Sequence, residues 1–153
     1  MAPFAVFEAD GLSSISVSNV SFSSCFSARD GGAILVYGGA SLQVSSSFFH
    51  KISSAGCGGA IAAVGGVVTI SKSIFNSCSA MTGGGAICTF NYVRYGQDEM
   101  ISSSLSLANN VFSRCYSDNV AGAIWARSSN TKTKVVVLIE SCSFQVFSKD
   151  TTK

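Results

Sequence analysis

The phrase Gly-Gly-Ala-Ile stands at Gly31–Ile34, Gly58–Ile61 and Gly84–Ile87, with a softened copy at Ala121–Ile124. A phenylalanine precedes each copy by nine residues: Phe22, Phe49, Phe75 and Phe112. Five residues before each of these, and before Phe144, comes an aliphatic residue: Val17, Val44, Ile70, Leu107 and Ile139. Two residues earlier again stand Ile15, Leu42, Val68, Leu105 and Val137. Fixed offsets repeated along a chain mean stacked copies of one unit that cannot bury its apolar face alone. The i, i+2 spacing of the aliphatic pair is the period of a half-buried strand. Serines, β-branched residues and recurrent glycine pairs argue against helix.

Each repeat holds three apolar strokes: the aliphatic pair, the phenylalanine and the isoleucine of the glycine phrase. Glycine pairs and Ser/Asn/Asp clusters between them supply turns. Successive phenylalanines lie 27, 26, 37 and 32 residues apart. Three strands in about 26 residues is the size of one coil of a parallel β-helix. The spacing predicts an all-β solenoid of roughly five rungs, a single domain over residues 1–153. Its inward ladders are Phe22, Phe49, Phe75, Phe112 and Phe144 in one column, and Ile34, Ile61, Ile87 and Ile124 in another. Cys25, Cys78 and Cys115 form a third, sharing their slot with Ile52 and Phe147. Within the phrase, the second glycine faces inward with the isoleucine, where the wall runs close to the next coil. Pro3–Val6 reads as a degraded first phrase, and the chain stops after Phe147 without another. Both ends therefore cut through a coil, and the expectation is a fragment of a longer solenoid that packs against further coils.

Irregularity is confined to one corner. From the phrase isoleucine to the next aliphatic residue the chain takes 10, 9, 20 and 15 residues. The two long insertions, within Cys88–Ser106 and Trp125–Leu138, belong to neighbouring rungs and should lie side by side. Loops on a rigid scaffold are where binding concentrates. Inside the first insertion cluster Tyr92, Arg94, Tyr95, Asp98 and Glu99, and Trp125 and Arg127 follow on the next rung. Aromatic rings stack on sugar faces while arginine and carboxylates hold hydroxyls, so these seven are the candidate ligand-binding residues. A solvated loop is the competing reading.

Other chemistry is sparse. A slot that accepts Cys, Ile or Phe is an apolar interior slot, so buried thiols are expected there. A Cys78–Cys115 bridge between adjacent rungs is the alternative. Cys57, Cys88 and Cys142 fall outside the slot, and no CxxC or Cys/His pair suggests zinc. His50, the single histidine, follows Phe49 and is expected at the surface. Acid–base cleavage of polysaccharides needs paired carboxylates, yet Glu8, Asp10, Asp30, Asp118, Glu140 and Asp150 fall on different corners. No catalytic residue, metal or cofactor is assigned. Asn19-Val20-Ser21 is the one N-glycosylation acceptor triplet. A net charge of +2 gives no reason to expect nucleic acid, and no apolar run is long enough for a membrane-spanning helix. Met1–Asp10 lacks the basic and apolar regions of a signal peptide.

Gly-Gly-Ala-Ile with Phe-x-x-Cys at a nine-residue offset resembles the repeats of polymorphic outer membrane proteins, which pair Gly-Gly-Ala-Ile with Phe-x-x-Asn. The likeness runs from about Phe22 to Phe147; the cysteine forms are Phe22–Cys25, Phe75–Cys78 and Phe112–Cys115. It implies a right-handed, single-stranded, pectin-lyase-like parallel β-helix exported to the cell surface and used in adhesion. The expected role is a non-enzymatic extracellular or surface module, scaffold or adhesin, whose partners are glycans, cell-surface proteins or further coils. The alternative is a carbohydrate-active β-helix, a polysaccharide lyase, hydrolase or glycan binder, using the 88–106 insertion.

Overall fold

The computed structural model describes residues 5–93, 100–128 and 134–145. Parallel sheets run along the stack, and each full coil gives one strand to each of four of them. The aliphatic pairs lie in Ser14–Ser18, Ser41–Ser45, Val67–Ser71, Ser103–Ala108 and Val135–Glu140. The phenylalanines lie in Ser21–Ser23, Phe48–His50, Ile74–Asn76, Val111–Ser113 and Ser143–Gln145. The glycine phrase leads into Phe7–Asp10, Ile34–Tyr37, Ile61–Val64, Ile87–Phe90 and Ile124–Arg127. Between the last two sets comes a strand that the three-stroke reading lacks: Phe26–Ser27, Ser53–Ser54, Ser79–Ala80 and Tyr116–Ser117. Coils therefore have four strands where three were expected. Two residues of mixed polarity carry no period to read. The architecture is a parallel β-helix.

Register puts like on like. Phe22, Phe49, Phe75, Phe112 and Phe144 are successive partners across their sheet. Their rings stack at 4.9, 4.6, 4.9 and 5.0 Å with planes within 11° of parallel. That separation is the strand spacing itself, so the backbone ladder sets the ring ladder. Ile34, Ile61 and Ile87 are buried beside them, and Ile124 half-buried. In the cysteine slot Ile52 and Cys78 are buried, while Cys25 and Cys115 are half-buried. The first coil corrects one expectation. Phe7, not Val6, pairs with Ile34, so the degraded phrase ends one residue later than Pro3–Val6. From Phe7 to Val17 is ten residues, the same interval as from Ile34 to Val44, so the corner keeps its length.

Polar side chains line the inside of one corner in a ladder of their own. Val20 N–H donates to Ser47 Oγ (3.2 Å), Ser47 N–H to Ser73 Oγ (3.1 Å) and Ser73 N–H to Asn110 Oδ1 (2.9 Å). Ser47, Ser73 and Asn110 are buried and so meet the rule that interior polar groups be hydrogen-bonded. Cys142 takes the next place, 3.8 Å from Asn110 Nδ2. The residue before each rung of this ladder turns the chain with positive φ: Asn19, Ser46, Lys72, Asn109 and Ser141.

A similar left-handed turn opens the glycine phrase. Gly31, Gly58 and Gly84 have φ of 65°, 65° and 60°, and Ala121 is held at 53° in the equivalent place. A Cβ is strained there. Ala121→Gly is expected to raise stability by about 0.5–1 kcal/mol, which a urea midpoint shift without a change of slope would report.

His50 differs from the exposed surface residue expected. It is half-buried, its ring stacked on Phe48 at 5.7 Å and 10°. Both side chains lie on the outer face, where the flat neighbour two residues away covers the imidazole.

Candidate functional site

Outward residues of the glycine-phrase sheet form two columns. One runs Glu8, Leu35, Ala62, Cys88, Trp125; the other runs Asp10, Tyr37, Val64, Phe90, Arg127. Toward the third and fourth phrase strands, where the insertions leave the coil, the columns carry Cys88, Trp125, Phe90 and Arg127. There Phe90 and Trp125 approach at 6.5 Å with planes 44° apart. The indole lies over Gly83, where an added Cβ would come within 2.7 Å of it. That glycine, the extra one in Gly83-Gly84-Gly85, makes the seat. Leu35, Ala62 and the sulfurs of Cys57 and Cys88 complete an apolar cluster on the outside of the wall.

Beside this cluster lies a groove of about 360 Å³ lined by Asp30, Cys57, Thr82, Phe90, Trp125 and Arg127. Asp30 is fixed in it, because its Oδ1 accepts the Cys57 N–H at 2.7 Å. Phe90 is held from behind: Ser103 Oγ donates to its carbonyl at 2.7 Å and accepts the Gly65 N–H at 2.9 Å. The arrangement offers an aromatic wall, a guanidinium, a hydroxyl and one structurally engaged carboxylate. Among the described lining residues there is no carboxylate pair for general acid–base work.

The described roots of the two insertions lie side by side, as expected. Tyr92–Val93 pairs antiparallel with Met100–Ile101 where the first insertion leaves the coil. Asn91 Nδ2 donates to Ser128 Oγ at 3.0 Å and Lys134 N–H to Ser102 Oγ at 3.4 Å, tying the roots of the two insertions together. Of the seven candidate residues, the structure brings Trp125 and Arg127 into one groove. Tyr92 is placed in that antiparallel pair by its backbone. Arg94, Tyr95, Asp98 and Glu99 lie outside the described residues. Phe90, Thr82 and Asp30 were missed, although Phe90 stands three residues past its phrase isoleucine just as Arg127 does.

The cysteines pair differently from the bridge considered from sequence. Cys57 and Cys88 form a disulfide, Cα to Cα 5.8 Å, while Cys25, Cys78, Cys115 and Cys142 are thiols. Cys57 precedes the phrase of one coil and Cys88 follows the isoleucine of the next, so unlike positions of the repeat meet across the corner. In the inner slot, a hydrogen bond with Cys115 and then burial push the Cys78 thiol up. The same bond holds Cys115 down. The bridge closes a loop with a sequence separation of 31, for which chain entropy gives about 3–4 kcal/mol. Replacing both Cys57 and Cys88 with serine is therefore expected to lower stability by about 3 kcal/mol. Non-reducing peptide mapping should recover the linked pair, with Cys78 unalkylated in the folded protein, since the thiolate is the reactive form.

A second hollow, about 880 Å³, opens at the last coil between Phe112, Phe144, Cys115 and Tyr116. Ladder side chains and the exposed Arg114, Asp118 and Gln145 line it together, and no catalytic set converges among these described residues. Among the described residues no group of three metal-ligating side chains converges, and no helix is long and apolar enough to cross a membrane.

The fold thus defines a parallel β-helix with an aromatic groove on its outer wall. Comparison with known proteins finds no matching family, no matching characterised protein and no matching solved structure.

Proposed function

We propose that this chain is a non-enzymatic β-helix module of the cell surface or extracellular space, a rigid scaffold whose outer wall binds a glycan. One observation carries the reading: Trp125, Phe90 and Arg127 converge in a groove at the root of the two insertions. Exposed aromatic faces take the C–H faces of a sugar ring, and Arg127 with Thr82 supplies hydroxyl contacts. The Cys57–Cys88 bridge supports an oxidising compartment. The likeness of the repeats to polymorphic outer membrane proteins, with their pectin-lyase-like helix and adhesive role, agrees with it.

Binding to a glycan array, together with a lyase and hydrolase screen on acidic polysaccharides, tests the proposal. The expected result is binding without turnover, weakened at least tenfold, or about 1.4 kcal/mol, by Arg127→Ala. Arg127 is exposed, so its replacement leaves the core intact. Turnover lost in Asp98→Ala and Glu99→Ala would establish the carbohydrate-active alternative instead. Binding to no glycan would leave a spacer.

A further inference from the structure

We infer that Asn19 is an N-glycan attachment site. Asn19 occupies the corner between Ser14–Ser18 and Ser21–Ser23, with φ of 56° and an exposed side chain. Its Nδ2 donates only to the exposed Ser18 Oγ, at 3.2 Å. The two residues that complete the acceptor triplet, Val20 and Ser21, are exposed as well, Val20 at 39%. Everything a transferase must reach therefore lies outside the coil. The side chain is exposed at the turn and bonds only to Ser18 Oγ at the end of the preceding strand, so the acceptor nitrogen lies at the surface.

The other corners of the stack provide the contrast. Asn109 repeats the same turn, with φ of 56° and an exposed side chain, but Val111 stands where the triplet needs a hydroxyl. Ser46, Lys72 and Ser141 hold the place without an asparagine. Asn76 is followed two residues on by Cys78, which is buried in the inner slot. Only the first corner combines an asparagine, a hydroxyl at the second residue and full access.

The second, independent observation is the Cys57–Cys88 bridge, which places the chain's maturation where disulfides form. In eukaryotic secretory compartments that is also where lipid-linked oligosaccharides are held. The co-reactant is an oligosaccharide joined through C1 of its first N-acetylglucosamine to a polyprenyl pyrophosphate. Asn19 Nδ2 forms a bond to that C1, and the C1–oxygen bond to the pyrophosphate breaks. The lipid pyrophosphate leaves with the bonding pair, and the amide proton passes to a base of the transferase. Ser21 Oγ serves recognition of the triplet.

The test is secretion of the whole chain behind a cleavable leader from a eukaryotic cell line. The expected product carries one glycan on the peptide containing Asn19, is shifted by peptide-N-glycosidase, and loses the shift in both Asn19→Gln and Ser21→Ala. Ser21→Ala keeps the asparagine and its turn, so it separates loss of the acceptor from loss of fold, and Ser21→Thr should retain the glycan. Secreted protein with the Cys57–Cys88 bridge formed and Asn19 unmodified would overturn the assignment. Glycan binding by the groove is read separately on unglycosylated protein, so either proposal can fail alone.

Discussion

Gly59→Ala is expected to abolish folding, whereas Gly122→Ala, the same phrase position in the last phrase-bearing coil, is expected to cost no more than about 1 kcal/mol. A Cβ on Gly59 would be driven onto the carbonyls of Gly85 and Ser79, both backbone atoms of the neighbouring coil. Neither can move without breaking the ladder, because Ala60 and Ile61 N–H both donate to the Ala86 carbonyl just beyond. Overpacking against yielding side chains costs about 1–3 kcal/mol, and against fixed backbone it exceeds that. For a domain of ordinary stability, about 5–15 kcal/mol, this approaches the whole. Among the described residues, Gly122 meets only the Cys115 carbonyl, at 3.5 Å, an ordinary contact. The contrast isolates coil-on-coil crowding from backbone freedom, since neither glycine has positive φ. Circular dichroism and urea melts of the two variants read the difference.

Phe75→Ala is the second large effect. Phe75 is fully buried between Phe49 and Phe112, with rings at 4.6 and 4.9 Å on its two faces. Truncation removes both stacks and leaves a cavity that the rigid coils above and below cannot collapse into. A loss of about 3–5 kcal/mol is expected. Among the described residues Phe144 has one stacked neighbour, Phe112 at 5.0 Å, and it is 46% exposed. Phe144→Ala should then cost about 1–2 kcal/mol. Equal losses at the two sites would deny the ladder its cooperative role.

The ladders were readable because their offsets never change: nine residues from phenylalanine to phrase, five from aliphatic residue to phenylalanine. Residues that must stack on their own kind leave a period in the chain. Ser79–Ala80 and its partners leave none, since a two-residue strand with one small inward side chain constrains composition little. The polar corner ladder hides for a similar reason: serine, asparagine and cysteine serve one position, and their common trait is only a short polar or polarisable side chain. Cys57–Cys88 was invisible because bridging joins unlike positions of the repeat, which requires the path of the corner in space.

Of the groove, Trp125 and Arg127 were legible from their place after the fourth isoleucine. Phe90 carried no expectation, because its meeting with Trp125 depends on Gly83 leaving room for the indole. Asp30 Oδ1 accepts the Cys57 N–H of the neighbouring coil, and its side chain also lines the groove.

Equal steps in space from unequal steps in sequence are the core of the account. Ser16, Gln43, Thr69, Ser106 and Leu138 are successive partners on the outer face of the aliphatic sheet, separated by 27, 26, 37 and 32 residues along the chain. Spin labels placed at Ser16 and at each of the other four in turn, read by dipolar electron paramagnetic resonance, test it directly. The predicted distances climb by a constant ~4.8 Å per coil. Distances that instead jump at the 37- and 32-residue intervals, or spread without a defined step, would contradict a stack of coils.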